Sequence, residues 1–132
     1  MFLTKITTAV LILISLLGSG CGATMKLDPK WLPLVQVEES PGNLVKVGIT
    51  TTINDTCYVH DLQSWLKDYP MGSDLQEGLL RHERTHSLRE RSYPGGVDAW
   101  LVEYIEKPSF RWQEEKAGWE REISYLVNRK YG

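Results

Sequence analysis

A surplus of charge of either sign is what this sequence most plainly lacks. Its 15 Lys and Arg stand against 17 Asp and Glu, a formal net charge of -2, and the two signs are mixed along the chain. Nothing in that balance marks a phosphate-binding face, so nucleic acid is not an expected partner. A long apolar run is missing too. The longest, residues 6–17, falls short of the roughly 20 residues that cross a bilayer comfortably. There is no internal repeat and no low-complexity stretch. Histidine is scarce, at three, and cysteine scarcer, at two: Cys21 and Cys57.

Lys5 places a positive charge ahead of the apolar run, and Gly18-Ser19-Gly20 follows it. A charged start, an apolar core and small residues describe an export signal. With Cys21 next, the segment resembles a bacterial lipoprotein signal, apart from Gly18 standing where such signals usually carry an aliphatic residue. The resemblance implies that residues 1–21 are a signal peptide and that Cys21 becomes the lipidated first residue of the mature protein. Gly22 in the following place is similar to outer-membrane sorting. The expected location is therefore outside the cytoplasm, tied to a membrane by an N-terminal lipid, at the outer membrane or in the periplasm. Lipidation of Cys21 leaves Cys57 without a partner, which excludes an internal disulfide; Cys57 is then a small buried hydrophobe or a free thiol, and the buried reading is favoured.

Removing the signal leaves about 110 residues, enough for one small domain. Residues 22–33 are short, polar and proline-punctuated, as in a tether, and the domain is expected over residues 34–132. Leu34, Val35 and Val37 lead to the turn cluster Ser40-Pro41-Gly42-Asn43, after which Val45, Val47 and Ile49 alternate with polar residues. That pattern predicts a hairpin, with residues 50–53 extending its second strand, Asn54-Asp55 turning it and residues 57–60 forming a third strand. Weaker helical spacing covers residues 61–69. Ser73 followed by Gln76 is a capping-box pattern that opens a helix with Leu75, Leu79, His82, His86 and Arg89 on one face and Pro94-Gly95-Gly96 at its end. A second helix is expected over residues 97–106, ended by Pro108, and a third from Phe110 onward with Trp112, Trp119, Ile123, Leu126 and Val127 as its apolar stripe. The expected class is α+β: a small antiparallel sheet followed by three helices.

His82-Glu83-Arg84-Thr85-His86 carries the chemistry. On a helix, histidines four apart project from one face about one turn apart and can bind one ion. Glu83 lies next to the first, placed to act on a water at that ion without being a ligand. This is the HExxH arrangement of a zinc site with a carboxylate base: zinc acidifies the water and polarises the scissile carbonyl, and the glutamate moves the proton to the leaving amine. Arg84 and Thr85 are more polar than the pair usually buried inside such a motif.

A catalytic zinc needs a third protein ligand, and no histidine follows His86. Here the sequence resembles the gluzincins, HExxH peptidases whose third ligand is a downstream glutamate, often in Glu-x-x-Ala. Glu114-Glu115-Lys116-Ala117 matches that pattern, and the resemblance selects Glu114 as the ligand and a zincin-like fold. Ala117-Gly118 would let two helices approach closely. Helical periodicity favours Glu115, which lies nearer the Trp112, Trp119 and Ile123 stripe; the family pattern is followed here. Residues 45–53 are a candidate edge strand for an extended substrate. Cys57 and His60 form a Cys-x-x-His pair that reads as packing. Tyr93 and Tyr104 are candidate donors to a transition state.

The resemblance implies a zinc-dependent peptide-bond hydrolase of the cell envelope, with His82, His86 and Glu114 on the Zn2+, Glu83 as general base and a peptide or protein as substrate. A non-catalytic envelope lipoprotein or interaction module that keeps a degenerate or structural zinc site is the alternative.

Overall fold

The computed structural model describes residues 22–42 and 44–131. The signal peptide and the lipidation of Cys21 fall outside the described residues. Among these, no helix is long and apolar enough to cross a membrane. The class is α+β, a four-stranded sheet followed by helices. The strands are β1 (Thr24–Lys26), β2 (Gln36–Glu39), β3 (Thr50–Ile53) and β4 (Thr56–Val59), in the order β1-β2-β4-β3. The helices are α1 (Leu62–Asp68), α2 (Asp74–Ser92), α3 (Gly96–Glu106) and α4 (Pro108–Tyr131).

Several expectations need correction. The sheet is not purely antiparallel: β2 runs parallel to β4, with Val37 opposite Cys57, while β1 and β3 run antiparallel to their neighbours. The hairpin across Ser40–Asn43 does not form, because the alternation after it is broken. Gly48 takes φ 80°, a left-handed conformation that glycine adopts without penalty, and the Ile49 N–H closes a turn onto the Lys46 carbonyl at 3.1 Å. Val47 and Ile49 are thereby left exposed. The hairpin that does form joins β3 to β4 through Asn54-Asp55, where Asn54 takes the positive φ that asparagine tolerates.

Residues 22–33 are not a tether. Residues 24–26 are an edge strand of the sheet, and Pro29–Trp31 form a 3-10 turn that buries Trp31 in the main core. Trp31 is buried in that core and Met25 and Leu27 pack partly buried against it, which holds the segment to the domain. That core also contains Leu34, Val37, Cys57, Val59, Trp65 and Leu80. Cys57 is a buried free thiol, and burial pushes its pKa up. A second cluster, with Ile53, Tyr58, Trp100 and Leu101, fastens α3 to the sheet.

Capping fixes where α2 begins. The Ser73 hydroxyl accepts from the Gln76 N–H at 3.1 Å. The return contact of the capping box is displaced by one residue, since the Gln76 side chain accepts from the Gly72 N–H and donates to the Tyr69 carbonyl. Pro108 does not merely stop α3; it is the first residue of α4, the place where a missing N–H costs nothing.

The expected apolar stripe of α4 is not its buried face. Trp112, Trp119, Ile123 and Val127 are all exposed, whereas Glu114 and Gly118 are buried. Glycines decide this. A Cβ on Gly118 would lie 2.7 Å from the His82 ring, and one on Gly78 would lie 3.3 Å from Leu126. The two helices therefore meet at a separation only glycine permits, with the bulky residues of α4 turned aside. That close crossing brings α4 to the histidines of α2.

Candidate metal centre

Mid-way along α2, His82, Glu83 and His86 are buried on the side facing β3 and α4. The two imidazoles converge, with Nε2 to Nε2 at 3.0 Å. Opposite them is Glu115, whose Oε2 lies 3.1 Å from His82 Nε2 and whose Oε1 lies 3.1 Å from His86 Nε2. These three residues form a cluster able to hold a metal ion. Tetrahedral zinc with bonds of about 2.0 to 2.1 Å would set neighbouring ligand atoms about 3.3 Å apart, so an ion fits with small rotamer shifts. The field also suits a cation. Burial works against a charged His82, yet the Glu115 and Glu122 carboxylates outweigh it and push its pKa up to about 10. Burial likewise opposes ionisation of Glu115, but the two imidazoles hold it well below the usual carboxylate range.

Glu114, the ligand that the family pattern selected, is not at the centre. Its carboxylate accepts from Arg89 Nε at 2.7 Å and Nη2 at 2.6 Å, and from the Trp100 indole N–H. One residue is 100° of helix rotation, which turns Glu114 toward Arg89 on α2 and Trp100 on α3. A carboxylate this buried needs its charge compensated, and Arg89 provides that. Its role is structural: it ties α4 to both neighbours and sets the rotation that presents Glu115.

Three further residues support the ligands. Glu122 Oε1 is 2.9 Å from His82 Nδ1, the carboxylate–histidine contact that fixes a ligand's tautomer and ring orientation. Sequence reasoning missed it, although Glu122 lies two turns after Glu115 on α4 and so shares a face with it. Tyr104 on α3 donates to Glu115 Oε1 at 2.7 Å. Tyr93, the other candidate donor, packs against Phe110 instead. Gly118 forms the floor under His82. We expect Gly118→Ala to displace that imidazole and weaken metal binding on the order of 10- to 100-fold, read by competition with a chromophoric chelator. Unchanged affinity would mean that the close approach has no bearing on the ligand.

Glu83 is not a ligand in this geometry. Its Oε2 accepts from the Thr52 hydroxyl at 2.6 Å, and burial raises its pKa, partly offset by the two histidines. The expected edge strand is present only over residues 50–53. β3 is the outer strand of the sheet on that side and borders the cavity, of about 560 Å³, that opens over the ligands. Ile49, Ile105 and Trp119 line the same cavity. His60 plays no part, because its Nδ1 is 3.0 Å from the Val45 carbonyl oxygen. Among family models, curated proteins and solved structures, none matches this chain.

Proposed function

We propose that the chain is a zinc-dependent peptide-bond hydrolase of the cell envelope. One observation carries the reading: the buried His82 and His86, the half-buried Glu115 and the non-ligating carboxylate of Glu83 share one open cavity. Two imidazoles and one carboxylate are the donor set of a catalytic rather than a structural zinc, since they leave a coordination position free. When bound, zinc supplies a Lewis acid for the scissile carbonyl and acidifies a water at neutral pH.

The chain's own residues do the rest. Glu83 takes the proton of the attacking water and hands it to the leaving amine. Burial raises its proton affinity, which suits a group that must accept and then release. The Thr52 hydroxyl holds its Oε2 and thereby couples its position to β3. In a two-residue hairpin the pair flanking the loop is hydrogen-bonded, so pairing alternates and Thr50 and Thr52 turn their backbone groups outward from β4. An extended peptide laid along that edge would find free partners beside the metal. Tyr104, whose hydroxyl proton is given to Glu115, would have to turn from that contact to donate to developing negative charge.

The non-catalytic alternative predicts a closed site, and the cavity over the ligands favours hydrolysis. The envelope location is supported by the lipoprotein-type leader ending at Cys21. The test is hydrolysis of a mixed quenched-peptide pool. Activity should vanish on removal of metal by a chelator and return with one equivalent of zinc. No hydrolysis by the zinc-loaded chain, or hydrolysis indifferent to chelation, would refute the reading.

A further inference from the structure

Arg84 and Thr85 are the motif positions that the metal site leaves unused. Arg84 lies about half a helix turn from the ligands and Thr85 about a quarter turn, and both face a groove of about 640 Å³ between α2 and α4. Lys30, Arg81, Arg84, Arg89 and Arg121 line it, against the carboxylates of Glu77 and Glu120. That is a cationic surplus in a chain of net charge -2. Residues with mixed charge along the sequence are thus sorted by the fold into a basic face.

Internal partners account for part of it only. Glu77 is shared by Lys30 at 3.2 Å and Arg81 at 3.6 Å, and Arg89 is taken by Glu114. Arg84 donates its Nε to the Leu32 carbonyl at 2.7 Å. Among the described residues its terminal nitrogens meet no carboxylate, and Arg121 has neither an ion-pair nor a hydrogen-bond partner. Beside these guanidinium groups stand two exposed leucines, Leu32 at 54% and Leu88 at 44%.

Uncompensated arginines next to exposed leucines are the composition of a surface that meets anionic lipid. The apolar side chains enter the headgroup boundary, and the guanidinium fork matches two phosphate oxygens. We infer that this groove binds the phosphate of an anionic lipid headgroup. The interspersed Glu77 and Glu120 fit a single headgroup better than a long polyphosphate. Lys30 follows Cys21 by nine residues, a stretch that reaches at most about 30 Å, so anchoring at Cys21 would keep the groove near the bilayer surface. The metal cavity lies on the other side of α2 and would open away from the lipid, toward soluble polypeptide. The inference rests on the envelope location and not on hydrolysis; metal content and peptidase assays report on the latter separately.

The test uses the full chain in neutral maltoside micelles, with the side-chain N–H signals of arginine followed by NMR. Phosphatidylglycerol, phosphatidylcholine and soluble glycerol phosphate are added in parallel. Phosphatidylglycerol should shift the Arg84 and Arg121 signals, phosphatidylcholine should not, and glycerol phosphate should need at least about tenfold more. In the Arg84→Gln/Arg121→Gln variant, the phosphatidylglycerol needed to move the Arg81 signal should rise about 30-fold, with an unchanged circular dichroism spectrum as the check on folding. Signals unmoved by phosphatidylglycerol, moved equally by phosphatidylcholine, or moved by glycerol phosphate at the same concentration would overturn the assignment. Should the variant fail to fold, the three titrations of the unaltered chain decide the matter.

Discussion

Glu83→Gln is expected to lower peptide hydrolysis by about 10²- to 10⁴-fold, the usual contribution of a positioned general base, while the protein keeps its full complement of metal. The substitution is nearly isosteric. The amide oxygen of glutamine still accepts from the Thr52 hydroxyl, now 2.6 Å from Glu83 Oε2, so neither the strand nor the ligands lose their support. What disappears is the ability to take a proton. Because the carboxylate is buried and raised in pKa, the variant should also be at least as stable as the parent, which separates loss of chemistry from loss of fold. Steady-state rates on a quenched peptide, with metal content measured on the same sample, make the comparison. Activity within a few-fold of the parent would remove Glu83 from the mechanism.

Glu90→Gln should change how stability responds to pH. Glu90 is fully buried one turn beyond His86. Its Oε1 accepts from the Asn54 N–H at 3.1 Å, and its Oε2 has no partner. Burial pushes its pKa from 4.5 up to about 8, the Asn54 N–H pulls it back in part, and the Glu83 and Glu114 charges raise it further. The folded state therefore keeps this proton over a range in which the unfolded chain has lost it. Its contribution to stability is complete below about pH 4.5 and declines as pH rises toward 8, by on the order of 1.4 kcal/mol per pH unit at most. Glutamine never ionises and keeps the Asn54 contact, so the variant should lack this slope and be more stable at pH 8 by a few kcal/mol. Urea unfolding between pH 5 and 8.5, with a chelator present so that metal linkage does not contribute, measures it. Parallel stability curves for the two proteins would show that Glu90 ionises normally.

The helix that carries His82 and His86 was the most legible part of the sequence, because its signals are local. A serine cap, a spacing of four between histidines and a Pro-Gly-Gly stop each act within a few residues of themselves. The hairpin at Asn54-Asp55 was legible for the same reason. The parallel pairing of β2 with β4 was not, since it joins residues 20 apart across an irregular segment and the intervening strand β3. Nor was β1, whose place depends on where Trp31 and Leu27 find apolar partners. The third ligand is the instructive case. Periodicity pointed to Glu115 on the premise that the tryptophan stripe faces inward, and the stripe faces out. The family pattern pointed to Glu114, which is buried but committed to Arg89 and Trp100. The orientation of α4 is set by Gly118 under His82 and by the Glu114–Arg89 pair; the close approach at Ala117-Gly118 was legible in the sequence, but the ion pair between helices is represented by neither rule.

The triad itself is tested most directly by equilibrium dialysis against zinc, with Glu115→Ala and Glu114→Gln compared with the parent chain. The account predicts about one equivalent of tightly bound zinc in the parent, a site weakened by orders of magnitude in Glu115→Ala, and a site retained in Glu114→Gln, with any loss there appearing as stability. Equal zinc in the parent and Glu115→Ala, or selective loss in Glu114→Gln with the fold intact, would contradict it.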